Sequence, residues 1–112
     1  MATTTTTTLI TPAGATDVEL TDDGFFVDPS VWTEDMVPEL ASREGIGAVT
    51  DSHWQVVRFM RSEYQQKGTG PSVRALGKTS GVSVKDLYAL FPKGPAKIAA
   101  RIAGIPKPKG CI

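Results

Sequence analysis

The sequence predicts a mainly α protein of the α+β class: a small N-terminal β-hairpin, about five helices including a helix-turn-helix-like pair, and a flexible C-terminal arm. Three observations lead there. Apolar residues recur at three- and four-residue steps after Thr50-Asp51, Asp23-Gly24 separates two short apolar runs, and prolines at 106 and 108 space out a tail that ends in the chain's one cysteine.

Taken in order, residues 1–16 are rich in Thr, Ala and Gly and hold too little apolar surface to fix a structure unless a neighbouring strand is borrowed. Disorder is the expectation there. Val18-Glu19-Leu20 and Phe25-Phe26-Val27 flank Thr21-Asp22-Asp23-Gly24, whose Asp-Gly supplies the positive φ of a tight hairpin. Thr33 can cap a first helix with an acidic first turn, Glu34 and Asp35, and Gly45 can stop it; Pro38 weakens its middle. The second helix is the strongest, opened by Thr50-Asp51 and closed near Gly68, with Trp54, Val57, Arg58, Arg61 and Tyr64 along its length. Pro71 suits the first turn of a third helix to about residue 79, Ser83 caps a fourth to about Phe91 with Gly81 in the turn between, and Gly94-Pro95 starts a short fifth ending near Gly104. Beyond it, Pro106 and Pro108 deny backbone donors and hold their neighbours extended, so the tail is a stiff arm. The expected division is a tail (1–16), a helical domain with its hairpin (17–104) and an arm (105–112) bearing Cys111.

Composition narrows the function classes. No apolar run approaches the ~20 residues a membrane-spanning helix needs, and MATTTTTTLI lacks the basic start and apolar stretch of a secretory signal. A cytoplasmic protein without a membrane role is expected. One cysteine cannot close an internal disulfide, so Cys111 is free to react. Net charge is zero, yet Met1 to Asp51 carries ten acidic residues and one basic, Arg43, while Ser52 to Ile112 carries two acidic and eleven basic. A cationic half of this kind either complements the acidic half within the fold or meets an anionic partner: nucleic acid, an acidic protein face or an anionic sulfur group.

Several stretches together resemble a known family. They are Asp23-Gly24-Phe25, Trp32, His53-Trp54, Pro71 with Arg74, Leu87-Tyr88-Ala89-Leu90-Phe91-Pro92-Lys93-Gly94-Pro95, and Ala103-Gly104-Ile105-Pro106-Lys107-Pro108-Lys109-Gly110-Cys111-Ile112. From about Val18 to the last residue the chain is similar to the DsrC/TusE sulfur carriers. The resemblance implies a hairpin, a helical domain with a helix-turn-helix-like element, and a mobile arm whose penultimate cysteine, here Cys111, carries sulfur as a persulfide. It implies an upstream sulfurtransferase donor of the TusA/TusBCD or DsrEFH type and a downstream acceptor protein. The dissimilatory branch has a second arm cysteine eleven positions earlier, and this chain has Ala100 there. That departure points to a single-cysteine relay, serving either dissimilatory sulfur metabolism or synthesis of 2-thiouridine in tRNA. The stretch between Arg74 and Tyr88 is also shorter than in several members.

Sulfur transfer needs the thiolate, and an unperturbed cysteine with a pKa of ~8.5 is mostly protonated at neutral pH. Lys107 and Lys109 flank the tip, and Arg58, Arg61, Arg74, Lys78 and Arg101 are further cations, of which Arg74 and Lys78 are the first choices for supporting a thiolate. His53, the one histidine, is read as structural, with a general-base role as its alternative. No cofactor and no metal site are predicted. One histidine and one cysteine make no self-contained active site, so the protein reads as a relay component. The alternative function is DNA binding, because Leu76-Gly77, Gly81, Val84, Leu87 and Leu90 fit a helix-turn-helix; the would-be recognition helix offers only Lys85, Asp86 and Tyr88 as polar groups.

Overall fold

The structure is a computed structural model and describes residues 4–107. Its first element is a strand where disorder was expected. Strand β1 (Thr4–Thr11) pairs antiparallel with β2 (Gly14–Thr21), from Thr4 opposite Thr21 to Thr11 opposite Gly14. Threonine is β-branched and favours the extended backbone, so a threonine run needs few apolar anchors once it has a partner strand. Leu9 and Val18 supply them, both buried. The outer edge of β1 is tied to the helices: Ile10 N–H donates to Glu39 at 3.2 Å, and Arg43 donates to the Thr8 carbonyl at 3.1 Å.

The hairpin therefore lies one strand earlier than expected. The Asp-Gly turn does form, with Gly24 at φ +90° and its N–H on the Thr21 carbonyl at 2.9 Å. Beyond it only a single bridge, Leu20 to Phe26, continues the ladder. Phe25 and Phe26 leave strand geometry and enter the core.

Helix α1 (Val37–Arg43) follows a 3-10 turn at Glu34–Met36. The expected cap at Thr33 is corrected here: its side chain makes no capping bond, and the acidic pair belongs to the 3-10 turn. Starting at Val37 puts Pro38 in the first helical turn, where its missing N–H has no intrahelical acceptor to lose. Helix α2 (Asp51–Lys67) begins and ends as expected, with Thr50 at the cap and Gly68 at φ +75°. Helix α3 (Val73–Thr79) is capped by the Ser72 hydroxyl, which accepts from Ala75 N–H at 3.2 Å, so Pro71 precedes the cap and does not open the helix. Helix α4 (Val84–Leu90) is capped by Ser83 after a turn through Gly81, φ +85°.

Helix α5 (Pro95–Ile102) is the hub. Pro95, Ala96, Ile98, Ala99, Ala100 and Ile102 are all buried, and α1, α2, α3 and α4 pack around it. Small side chains let those helices come close, while Ile98 and Ile102 meet Met60, Leu76, Leu87 and Phe91 in one apolar cluster. The molecule is thus a helical cluster built about the element that leads into the tail. No helix among the described residues is long and apolar enough to cross a membrane.

Candidate functional site: the root of the C-terminal arm

Cys111 and Lys109, where the sequence places the chemistry, lie outside the described residues. The structure describes the base from which that tail departs. After α5 the chain turns at Gly104, φ +67°, and Ile105 is fully buried, with its N–H on the Ala100 carbonyl at 3.2 Å. Ile105, which the sequence assigns to the arm, is therefore packed with the helices.

Two arginines hold this base. Arg61, on α2, donates to the Ala103 carbonyl at 2.8 Å and to the Pro29 carbonyl at 3.3 Å, and its guanidinium lies 4.2 Å from the Trp32 ring centre. Trp32 donates its indole N–H to the Ile102 carbonyl at 2.8 Å. These donors satisfy carbonyls that every helix C-terminus leaves without an intrahelical partner. Partial burial lowers the Arg61 pKa from its ordinary value, with Tyr64 acting in the opposite direction. A Cβ at Gly104 would collide with the Trp32 indole, so the glycine is needed for both its positive φ and its contact.

Arg101, in the last turn of α5, bonds the Asp23 carbonyl at 2.9 Å and Glu44 at 3.3 Å, with its guanidinium 5.2 Å from the Phe25 ring centre. The Asp-Gly turn thereby serves as a bracket for α5. Lys107 reaches the same turn, its ammonium 3.4 Å from the Asp23 carboxylate. The Asp23 carboxyl is held below its ordinary value, first by the Thr21 hydroxyl at 2.6 Å and, more weakly, by Lys107.

The other expected residues are dispersed. Arg58 pairs with Glu34 and sits over Trp54. Arg74 and Lys78 are exposed four residues apart on α3, and their side chains make no hydrogen bond or ion pair with another described residue. Ala100, at the position of the second cysteine of the dissimilatory branch, is a buried methyl in the core.

His53 is structural. Its Nδ1 lies 3.0 Å from the Thr50 N–H, which can only donate, and its Nε2 lies 3.0 Å from the Leu90 carbonyl, which can only accept. The ring is therefore the Nε2–H tautomer with both nitrogens committed, one of them completing a capping box for α2. The exposed part of α4 carries no arginine, asparagine or glutamine that could read a base edge.

The parts that Trp32, Arg61, Asp23 and Arg101 play together at this root are not the ones the sequence suggested for them. Their partners lie 32 to 78 residues away for Arg61 with Pro29, Trp32 with Ile102, and Arg101 with Asp23, and no local spacing reports that.

The model of one protein family, described as DsrC like protein, matches residues 13–112. The chain belongs to the DsrC-like family. Among curated members, the sulfurtransferase TusE of Pectobacterium atrosepticum is 47% identical over 106 residues, 88% of this chain and 92% of that one. The gamma subunit of the dissimilatory-type sulfite reductase of Nitratidesulfovibrio vulgaris is 37% identical over 94 residues, 84% of this chain and 90% of that one. Solved DsrC-like structures agree with the fold. The crystal structure of dissimilatory sulfite reductase I (DsrI) superposes with a TM-score of 0.79 at 36% identity over 95% of this chain and 100% of that one. The NMR structure of Allochromatium vinosum DsrC does so at 0.76 and 31%, over 96% and 100%.

Proposed function

We propose that this DsrC-like protein is a sulfur carrier: Cys111 takes sulfane sulfur as a persulfide from an upstream sulfurtransferase and hands it to a downstream acceptor. The observation that carries the proposal is the family match, which runs through residue 112 and so includes the arm with its one cysteine. Identity to TusE sulfurtransferases across most of both chains supports the same function.

The chemistry balances without an added oxidant. The Cys111 thiolate attacks the terminal sulfur of the donor's persulfide, a new S–S bond forms at Cys111, and the donor's own sulfur leaves as a thiolate. Handover repeats the step with the acceptor's thiolate as nucleophile and Cys111 as leaving group. The body contributes a rigid mount, with Arg61, Trp32 and Arg101 holding the end of α5. Arg74 and Lys78, whose side chains have no ion pair among the described residues, are available to support the thiolate, whereas Lys107 is engaged by Asp23. Ala100 in place of a second cysteine supports a relay that works without an intramolecular disulfide, of the kind used in tRNA thiolation or in sulfur metabolism.

Intact-mass measurement after incubation with inorganic polysulfide tests the carrier. A gain of sulfur that reductant reverses and that Cys111→Ser lacks is expected. A wild-type mass that never changes would end the proposal.

A further inference from the structure

The cations of this protein divide into two groups. Arg43, Arg58, Lys67, Arg101 and Lys107 are each in an ion pair, and Arg61 is spent on backbone carbonyls. The side chains of the remaining described cations, Arg74, Lys78, Lys85, Lys93 and Lys97, have no hydrogen bond or ion pair with a described residue. They follow one another along the chain with no other cation between them, on α3, on α4, in the turn after α4 and in the first turn of α5, and the one acid in that stretch is Asp86.

The same stretch presents apolar surface. Val84 and Tyr88 are 43% and 51% exposed, and among the described large apolar residues with such exposure they are the two that share a helix face, four residues apart on α4. Gly77 brings the cations alongside: a Cβ there would run into the Val84 side chain, so α3 approaches α4 at this point. Lys78 adjoins Gly77 in the chain and Arg74 lies one turn before it. At about 100° per residue, the outward arc of α4 runs from Val84 against α3, across Tyr88, Lys85 and Ala89, to Asp86 at the rim of a hollow shared with Ser52 and Gln55 of α2.

We infer that this α3–α4 face is a protein-docking surface whose partner is the persulfide donor, presenting an apolar patch rimmed by carboxylates. An exposed tyrosine beside a β-branched residue, on a stretch whose cationic side chains have no partner among the described residues, has the make-up of an interface centre with a polar rim. Charge complementarity selects the acidic partner and speeds its encounter. A phosphate backbone fits less well, because Asp86 stands within the arc and Val84 has no polar group to offer a nucleotide. The inference rests on the carrier function, for it names the partner that loads Cys111.

The test uses the full-length protein with two surface variants, Val84→Ser/Tyr88→Ala and Lys85→Glu, each loaded by inorganic polysulfide and separately by a persulfide-loaded TusBCD complex or DsrEFH complex. Loading by polysulfide should equal wild type in both variants, which also reports an intact carrier. Transfer from the protein donor should fall about tenfold or more in the double variant, the loss typical of a truncated interface anchor, and should fall in Lys85→Glu with a weakened salt dependence. Donor transfer unchanged in both variants overturns the inference, as does a wild-type protein that neither complex loads while polysulfide still does. Binding of tRNA that the variants lose, with donor transfer intact, overturns it too and assigns the face to nucleic acid. Failure of polysulfide to load wild type would instead remove the carrier function itself.

Discussion

Arg61 shows how one side chain can join three elements that are distant in sequence. It joins α2, the loop before α1 and the end of α5 through the Pro29 and Ala103 carbonyls, with Trp32 beneath its guanidinium. Arg61→Ala leaves those carbonyls and the Trp32 face without a partner. A loss of about 2–3 kcal/mol in denaturant unfolding is expected, the usual size for an arginine with buried backbone acceptors. Arg61→Lys should recover only part of it, because an ammonium cannot span two carbonyls as a planar fork does. Asp23 gives a prediction in pH. Its carboxyl is held low by the Thr21 hydroxyl and then by Lys107, so the charged form is favoured by folding. The sign is that of a depressed carboxylate: its contribution is present above the ordinary aspartate value of about 3.9 and is lost as pH falls through the lower folded value. In an NMR titration, Thr21→Val and Lys107→Ala should each raise the Asp23 midpoint, since both partners favour the charged carboxylate. A midpoint that Thr21→Val leaves unmoved would contradict the hydroxyl's part in it.

Among the elements, those whose ends carry local chemistry were legible in the chain. Thr50, Ser83, Gly68 and Gly94-Pro95 mark boundaries because a hydroxyl that caps, a glycine at positive φ and a proline at the first turn act within a few residues. Strand β1 was not legible, since six consecutive threonines read as polar and Pro12-Ala13 is not a recognisable hairpin turn; its stability comes from pairing with β2 and from Leu9. Leu9→Ala should therefore cost about 2–4 kcal/mol despite its setting in a polar run, while Thr5→Ala on the same strand should fall within about 0.5 kcal/mol. Thermal unfolding of the two variants distinguishes a packed strand from an ornament. Thr50→Ala should remove about 1 kcal/mol through the cap of α2, a loss that also loosens the His53 ring.

At the scale of the whole molecule, the fold is a mount for its C-terminus. The proposed chemistry is placed by the sequence on one cysteine in a proline-spaced tail, because thiol reactivity belongs to the residue type itself. The mount was not legible there, because Arg61, Trp32, Arg101 and Asp23 meet only after α5 is enclosed by the other helices. Ile105 is packed with the helices, so hydrogen exchange should show its amide as protected as those of α5, and Gly104→Ala should abolish that protection by driving a methyl into Trp32. The division of charge follows the same plan: the ion pairs of Arg101 and Lys107 brace the root, and α3 and α4 carry Arg74, Lys78 and Lys85, whose side chains have no partner among the described residues. In the proposed function this body carries a sulfur from one protein to another on Cys111. Single-turnover transfer from a persulfide-loaded TusBCD or DsrEFH complex, followed by intact mass on both proteins, is the decisive measurement. Sulfur lost by the donor should appear one for one on this chain and be absent from Cys111→Ser; sulfur that stays on the donor, or that reaches the serine variant equally, would contradict it.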